Sequence, residues 1–321
     1  MSPKKILLTG SAGQIGQVLV NALIDRYGKE NVIATDISDD PGFSCRYEKL
    51  NVLDKEGMVK ALKDHEVDHF YHLAAILSAK GEQEPSKAWE VNMRGLLNAL
   101  ESAVECKVER VFFPSSIAVF GEGVDKTFTA QDSVLIPTSV YGISKAAGEN
   151  WCNYYFEKYG LDVRSLRYPG VIGHQTMPGG GTTDYAVDIY YAAIEKGHFN
   201  CFLGPDAGLP MIYMDDAIRA TIELMEADSE SIRLRTSYNL QGMTFTPLEI
   251  YESIKKINPK FTIEYHPDFR QAIAESWPSR LDDLAAREDW SWKPEFDLEK
   301  MTAEMYSAIL AKKQKKQKSH V

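Results

Sequence analysis

Paired cysteines are missing from this chain. The four it has, Cys45, Cys106, Cys152 and Cys201, are scattered with no Cys-x-x-Cys, which excludes a disulfide framework and a zinc ribbon alike. The seven histidines show no His-Glu-x-x-His and no paired spacing, so no metal site is expected. Positive charge is scarce: 36 Lys and Arg against 46 Asp and Glu leave a net charge of −10, which argues against a nucleic-acid partner. No apolar run approaches membrane-spanning length. The opening Met-Ser-Pro-Lys-Lys runs into an apolar stretch ending at Thr9-Gly10, too short for a signal-peptide core. A cytoplasmic, reduced, soluble enzyme with no membrane partner is expected. Internal repeats are also absent. The one basic run, Lys312 to Lys318, reads as a solvated tail, and residues 312–321 are expected to be disordered.

What is present is an alternation of short apolar strands with amphipathic helices over the 321 residues. Strands are expected at 5–9, 31–36, 46–51, 69–75, 110–115 and 162–168. Helices are expected at 14–27, 55–64, 85–106 and from about 140 to 159. Strands that are apolar almost throughout mean a parallel sheet covered on both faces. The expected fold is therefore α/β, a Rossmann-type doubly wound parallel sheet over residues 1–170. After 170 the pattern breaks into Gly- and Pro-rich loops, with helices near 183–196, 214–227, 247–257 and 298–311 and a strand near 236–241. This reads as a smaller α+β lobe, mainly substrate-binding, over 171–311, closing on the C-terminal edge of the sheet where doubly wound folds bind ligands.

Gly10-Ser-Ala-Gly13-Gln-Ile-Gly16 lies between the first strand and the first helix. Glycines there permit a tight turn, close approach of a pyrophosphate and tight helix–strand packing. The helix N-terminus, with Gln14 and Ile15, offers N–H groups and a positive dipole end to phosphates. Asp36, followed by Ile37, ends the second strand about 20 residues on, where an acid hydrogen-bonds an adenosine ribose. Its carboxylate would repel a 2′-phosphate, so NAD is expected rather than NADP. The bland reading of Asp36 is a turn or cap residue.

Tyr141 and Lys145 stand four residues apart, one above the other on a helix face. A free phenol, with a pKa of about 10, is a poor base at neutral pH. A cation within roughly 4–6 Å lowers that value by about 1–3 units, and a Tyr so tuned takes a proton from an alcohol. By itself the pair is equally an amphipathic helix with a solvated charge.

Gly10-x-x-Gly13-x-x-Gly16, His72-Leu-Ala-Ala75, Val91-Asn92, Pro114-Ser-Ser116, Tyr141-x-x-x-Lys145 and Arg167-Tyr-Pro-Gly170 follow in order. Together they resemble the extended short-chain dehydrogenase/reductases, a group that includes nucleotide-sugar epimerases. Within it, Ser115-Ser-Ile-Ala-Val-Phe-Gly121 and Met177 to Tyr185 are most similar to the short-chain L-threonine 3-dehydrogenase family. That resemblance implies NAD+-dependent oxidation of L-threonine to 2-amino-3-oxobutyrate, and a homodimer formed through the helix carrying Tyr141 and the long helix before it. It implies Tyr141 as base, Ser116 orienting the substrate hydroxyl, and Lys145 holding the nicotinamide ribose and lowering the Tyr pKa. It implies that Asn92 supports the active-site helix and its water chain. Asn51 and Val52 fall where the family contacts adenine, Leu73, Ala74 and Ala75 line the cofactor, and Tyr168 and Gly170 border the nicotinamide. Ser115 competes with Ser116 for the hydroxyl role.

A threonine-sized zwitterion needs donors for its carboxylate. Ser78 and Thr182 are the candidates, with loop caps as the alternative. Trp277 is an apolar plug or plain core, and Gly179-Gly-Gly181 a hinge or plain connector. Asp215-Asp216 starts a helix, Arg280 with Asp282 and Asp283 forms a structural ion pair or a contact between the lobes, and Trp290 and Trp292 pack on the sheet edge. Two other readings remain: a nucleotide-sugar epimerase or dehydratase, for which Lys196, Arg219, Arg233 and Arg235 are the few pyrophosphate donors, and a non-catalytic NAD-dependent sensor.

Overall fold

A computed structural model describes residues 4–177 and 181–318. The first half follows the expected alternation. It runs β1 (Ile6–Thr9), α1 (Gln14–Tyr27), β2 (Val32–Asp36), β3 (Arg46–Lys49), α2 (Lys55–Asp64) and β4 (His69–His72). Then come α3 (Ser78–Gln83), α4 (Pro85–Trp89), α5 (Gly95–Cys106), β5 (Arg110–Ser116), α6 (Val140–Tyr159) and β6 (Asp162–Tyr168). The helix expected over 85–106 is interrupted: a π-helical turn at Glu90–Arg94 separates α4 from α5. Such turns bulge one residue out of register and often sit beside functional sites. Here the bulge carries Asn92.

Seven parallel strands form the main sheet: a later strand, β10 (Tyr238–Asn239), at one edge, then β6-β5-β4-β1-β2-β3, so the order reverses between β1 and β4. Alternate residues face opposite sides. Leu7, Ile33, Phe70, Val111, Phe113 and Val163 pack under α2, α5 and α6. Ile6, Leu8, Val32, Ala34, Tyr71, Phe112 and Leu166 pack against α1 and later elements. Both faces are dry, as the unbroken apolar strands require.

The chain then forms β7 (Gly170–Ile172), α7 (Tyr185–Glu195), β8 (His198–Cys201), β9 (Leu209–Tyr213) and α8 (Met214–Glu226), then β10 (Tyr238–Asn239) and β11 (Met243–Phe245). It ends with α9 (Pro247–Ile257), β12 (Thr262–Tyr265), α10 (Phe269–Ser276), α11 (Leu284–Trp290) and α12 (Leu298–Lys318). This part is not a lobe apart. β10 adds to the edge of the main sheet beside β6, and α8, Trp290 and Trp292 cover that sheet's face. β7, β9 and β11 form a second small sheet, and β8 pairs with β12. A third core, with Tyr185, Tyr190, Phe245, Trp277 and Met305, unites α7, α9, α10 and α12 over the C-terminal ends of the main strands.

One local expectation changes and two hold with added detail. Residues 312–318 continue α12 instead of forming a frayed tail, because Lys312 and Lys313 reach carbonyls of His174, Gln175 and Ile194. Asp216 opens α8 but is also buried, accepting from Arg219 and from the backbone of Glu295 and Phe296. Asp283 pairs with Arg287, one turn along, while Arg280 lies over the Phe128 ring and accepts at its carbonyl from Thr129 N; of the two readings, the contact between early and later elements forms and the ion pair does not.

Candidate active site

The glycine turn joins β1 to α1 at the middle of the sheet's C-terminal edge. Gly10 has φ +74°, and a Cβ on it would lie 2.6 Å from Ala74 N. A Cβ on Gly16 would lie 2.2 Å from Gly10 O. Side chains are excluded at both positions, and what remains is a backbone cradle at a helix start. Gly13 caps that helix without any side-chain bond, so the first-turn N–H groups stay open to an anion. The cradle fits a dinucleotide pyrophosphate. Asp36 closes it: its carboxylate accepts from Ala12 N and Ser38 N, each at 3.0 Å.

Ser139 caps α6, accepting from Gly142 N, and the first turn presents Tyr141. Lys145 lies one turn on, buried, with Nζ donating to Pro114 O at 2.6 Å and standing 5.6 Å from the Tyr141 ring centroid. Ser116 ends β5; its hydroxyl accepts from Ala118 N at 3.2 Å and borders the same cavity as Tyr141, whose phenolate form it favours. Ser115 is turned to the other face and donates to Glu149 at 2.6 Å. Adjacent strand residues point oppositely: both serines border the cavity, but the Ser115 hydroxyl is committed to Glu149, which leaves the Ser116 hydroxyl for a substrate.

One electrostatic expectation is corrected. Burial raises the Tyr141 phenol to about 12, and the Ser116 hydroxyl opposes the rise only in part. Burial also draws Lys145 down to about 7. Desolvation is the largest cause of both shifts, and Lys145 is not what sets the Tyr141 value here. His72 stays neutral, drawn down to about 3 by burial, with Nδ1 2.9 Å from Thr9 Oγ1.

Ser116, Tyr141, Lys145 and the glycine turn line one cavity of about 230 Å³. Its floor is Gly10, Gly13, Gln14 and Ile15, one wall carries Leu73, Ala75 and Ser78, and another Tyr168 and Gly170. Thr182 and Trp277 close it from the later elements. Thr182 is buried and its hydroxyl has no hydrogen-bond partner among the described residues, an exception that calls for an explanation. Trp277 is both plug and core, 7% exposed and packed in the third core. Of the glycine run, Gly181 borders the cavity, whereas Gly179 and Gly180 lie outside the described residues.

Other expected residues stand off the cavity. Ala74 packs under Gly10. Ile37 is exposed beyond Asp36. Asn51 is a surface turn residue accepting from Leu53 N, and the Val52 side chain is core. Asn92 exchanges hydrogen bonds with the Ile76 backbone and donates to Ser144 Oγ at 3.2 Å, so it braces α6 without lining the cleft. The Tyr168 hydroxyl is taken by Thr221. Thr183 and Asp184 line the cavity unforeseen; their place beside Thr182 was the available signal. Among described residues Lys145 and Asp184 are the only charged side chains in the lining. Arg219, Arg233 and Arg235 are engaged elsewhere with Asp216, Asp289 and Asp162.

Residues 6–240 match the NAD dependent epimerase/dehydratase family. An uncharacterized epimerase/dehydratase of Staphylococcus haemolyticus is 45% identical over 98% of this chain and 100% of its own. The holo form of a GalE-like L-threonine dehydrogenase from Cupriavidus necator is 50% identical, covers 95% of this chain and 99% of its own, and superposes with a TM-score of 0.94. A monomeric L-threonine 3-dehydrogenase from a metagenome is 45% identical over 95% of this chain and 99% of its own, with a TM-score of 0.93. Since that neighbour is described as monomeric, likeness does not carry the expected homodimer.

Proposed function

The chain belongs to the NAD dependent epimerase/dehydratase family, and from that premise we propose that it oxidises L-threonine at its 3-hydroxyl to 2-amino-3-oxobutyrate. The observation that carries the reading is that Ser116, Tyr141 and Lys145 line one cavity of about 230 Å³ together with the glycines of the cradle. Cofactor and substrate share that volume, which suits a substrate of a few heavy atoms. A nucleotide sugar brings a pyrophosphate, and no arginine lines the described wall to receive it. The likeness to L-threonine dehydrogenases at about half identity over nearly the whole chain supports the same choice.

The glycine cradle and the α1 N-terminus would hold the pyrophosphate, Asp36 the adenosine ribose, and Lys145 the nicotinamide ribose. NAD+, when bound, supplies the hydride acceptor and brings a positive charge into the cleft. Ser116 Oγ orients the 3-hydroxyl toward Tyr141 Oη, which takes its proton. Tyr168, Gly170 and Trp277 keep water from the reacting carbon. Thr182 Oγ1 gives the substrate carboxylate a donor, which accounts for a hydroxyl otherwise buried without a partner. Ser78 on the opposite wall is the second donor.

The deciding assay offers the enzyme NAD+ with L-threonine, L-serine and UDP-sugars side by side and follows NADH. NADH formation with L-threonine is the expected result; turnover of a UDP-sugar without it would replace this reading with the epimerase one. Thr182→Val keeps shape and removes the hydroxyl. It is expected to raise KM for L-threonine about tenfold, the scale of one lost hydrogen bond to a charged group, with a smaller change in kcat; an unchanged KM removes Thr182 from the carboxylate site. Asp36→Ala is expected to lower the NAD+ over NADP+ preference in kcat/KM by about tenfold or more. An unchanged ratio would leave Asp36 only its role in bracing the turn.

A further inference from the structure

Beneath the Tyr141–Lys145 turn lies a buried charged cluster that the chemistry above does not use. Glu149 sits on α6 one turn after Lys145, and Glu149, Ser115 and Arg167 are all buried. Both carboxylate oxygens of Glu149 are engaged: Ser115 Oγ donates to Oε1 at 2.6 Å, Arg167 Nε to Oε1 at 2.9 Å and Arg167 Nη2 to Oε2 at 2.8 Å. Ser115 and Arg167 are register partners on β5 and β6, and their chain neighbours Ser116 and Tyr168, also partners, line the cavity. Arg167 Nη1 continues to Gln131 O and to Asn239 Oδ1 at 3.0 Å. Asn239 Nδ2 donates in turn to Asp282 O, shortly after Trp277.

A buried ion pair is a weak device for stability, because desolvation cancels most of its attraction. Its gain is geometric. Apolar contacts let a helix slide or roll on a sheet, whereas a bidentate guanidinium–carboxylate pair admits one arrangement. α6 lies tightly on β5, with the Gly148 backbone so close to the Phe113 ring that a Cβ would stand 2.6 Å from it. A small roll there would carry Tyr141 away from Ser116.

We propose that Glu149 is a positioning residue for the reaction: through Ser115 and Arg167 it locks the helix bearing Tyr141 and Lys145 to the strands bearing Ser116 and Tyr168, and its charge keeps the Lys145 ammonium in the buried cleft. This rests on the reading of Tyr141, Ser116 and Lys145 given above. Lys145 faces Tyr141, Glu149 and Cys152 on its own helix, the Phe113 ring and Pro114 carbonyl on β5, and neutral His72 on β4. Burial pulls Lys145 down; Cys152 and Glu149 pull the other way. Burial holds the Cys152 thiol well above its ordinary value, so it is uncharged near neutrality. Glu149 is the anion that counts.

The test compares Glu149→Gln, Glu149→Asp and Ser115→Ala in the full chain, by kcat, KM, melting temperature and the pH dependence of NAD+ affinity. Glu149→Gln is expected to lower kcat about tenfold or more, the scale of a sub-ångström misplacement, with KM for L-threonine little changed. Without the anion Lys145 loses its proton at lower pH, so NAD+ affinity is expected to begin falling at lower pH than in the wild type. Glu149→Asp, which keeps the charge, is expected to restore that limb. Ser115→Ala strands no buried charge, so it keeps the test open if Glu149→Gln does not fold; a several-fold fall in kcat at constant KM is expected. Unchanged kcat and an unmoved pH limb, whatever happens to the melting temperature, would overturn the proposal and leave Glu149 a packing residue. A wild type that does not oxidise L-threonine would sink the functional reading instead, and the pH limb of NAD+ affinity would still decide the role of Glu149.

Discussion

Tyr141→Phe is expected to lower kcat for L-threonine by about two to four orders of magnitude, the usual worth of a positioned general base, while NAD+ affinity stays nearly unchanged. The phenol shares the cavity lining with Ser116, whose hydroxyl favours its ionised form, and Phe preserves its ring packing. The pH profile makes the test sharper. Because burial lifts the phenol to about 12, it is protonated at neutrality, and oxidation needs it without its proton. Wild-type oxidation is therefore expected to rise with pH from neutral into the alkaline range, moderated by the positive charge that NAD+ brings. The rise disappears in the variant if Tyr141 is its source. Stopped-flow or steady-state NADH formation across pH measures both; a Phe variant with substantial turnover at neutral pH, or with the wild-type profile, would assign the proton transfer elsewhere.

Gly10→Ala is expected to cost about 2–5 kcal/mol of stability and most of the NAD+ affinity. Two penalties combine. At φ +74° an L side chain is strained by about 1–2 kcal/mol. Its Cβ would also stand 2.6 Å from Ala74 N and 2.8 Å from Leu73 C, backbone atoms that cannot swing aside, and overpacking of that kind costs about 1–3 kcal/mol. The displaced segment, Leu73 to Ala75, is a cofactor-side wall of the cavity. Two controls separate the causes. Gly123→Ala has the positive φ, +88°, but open space around it. Gly13→Ala lacks the positive φ and meets Gly10 O at 3.3 Å. Thermal unfolding and NAD+ titration of the three should rank Gly10→Ala as the most damaging in both. Equal losses at Gly10 and Gly123 would mean that backbone strain alone, not closeness to β4, sets the effect.

Much of the fold was legible because it is local. α1 begins and ends where read, 14 to 27, since its apolar spacing lies between Gly13 and Gly28. β6 and α2 likewise agree to the residue. The elements that escaped are short and held by distant partners. β8 pairs with β12 across some sixty residues of chain, and α10 and α11 have about two turns each, too few for a period to show. The π turn at Asn92 was illegible because the apolar spacing runs through it. The strand near residue 238 was visible, but its place at the edge of the main sheet was not, because pairing with β6 leaves no mark on either segment.

The amino-acid sequence by itself determined the architecture, the glycine cradle with its acid, and the Tyr141–Lys145 pair, because each follows from spacing within one or two elements. The tertiary structure decided the rest. It separated Ser116 from Ser115, since strand register turns adjacent side chains to opposite faces. It reversed the expected shift of the Tyr141 phenol, since desolvation depends on what surrounds a group and not on its neighbours in sequence. It also brought Glu149 and Arg167 together under the reacting turn, where a helix crosses the two strands that flank it in the chain and only the packed fold fixes which charges face each other.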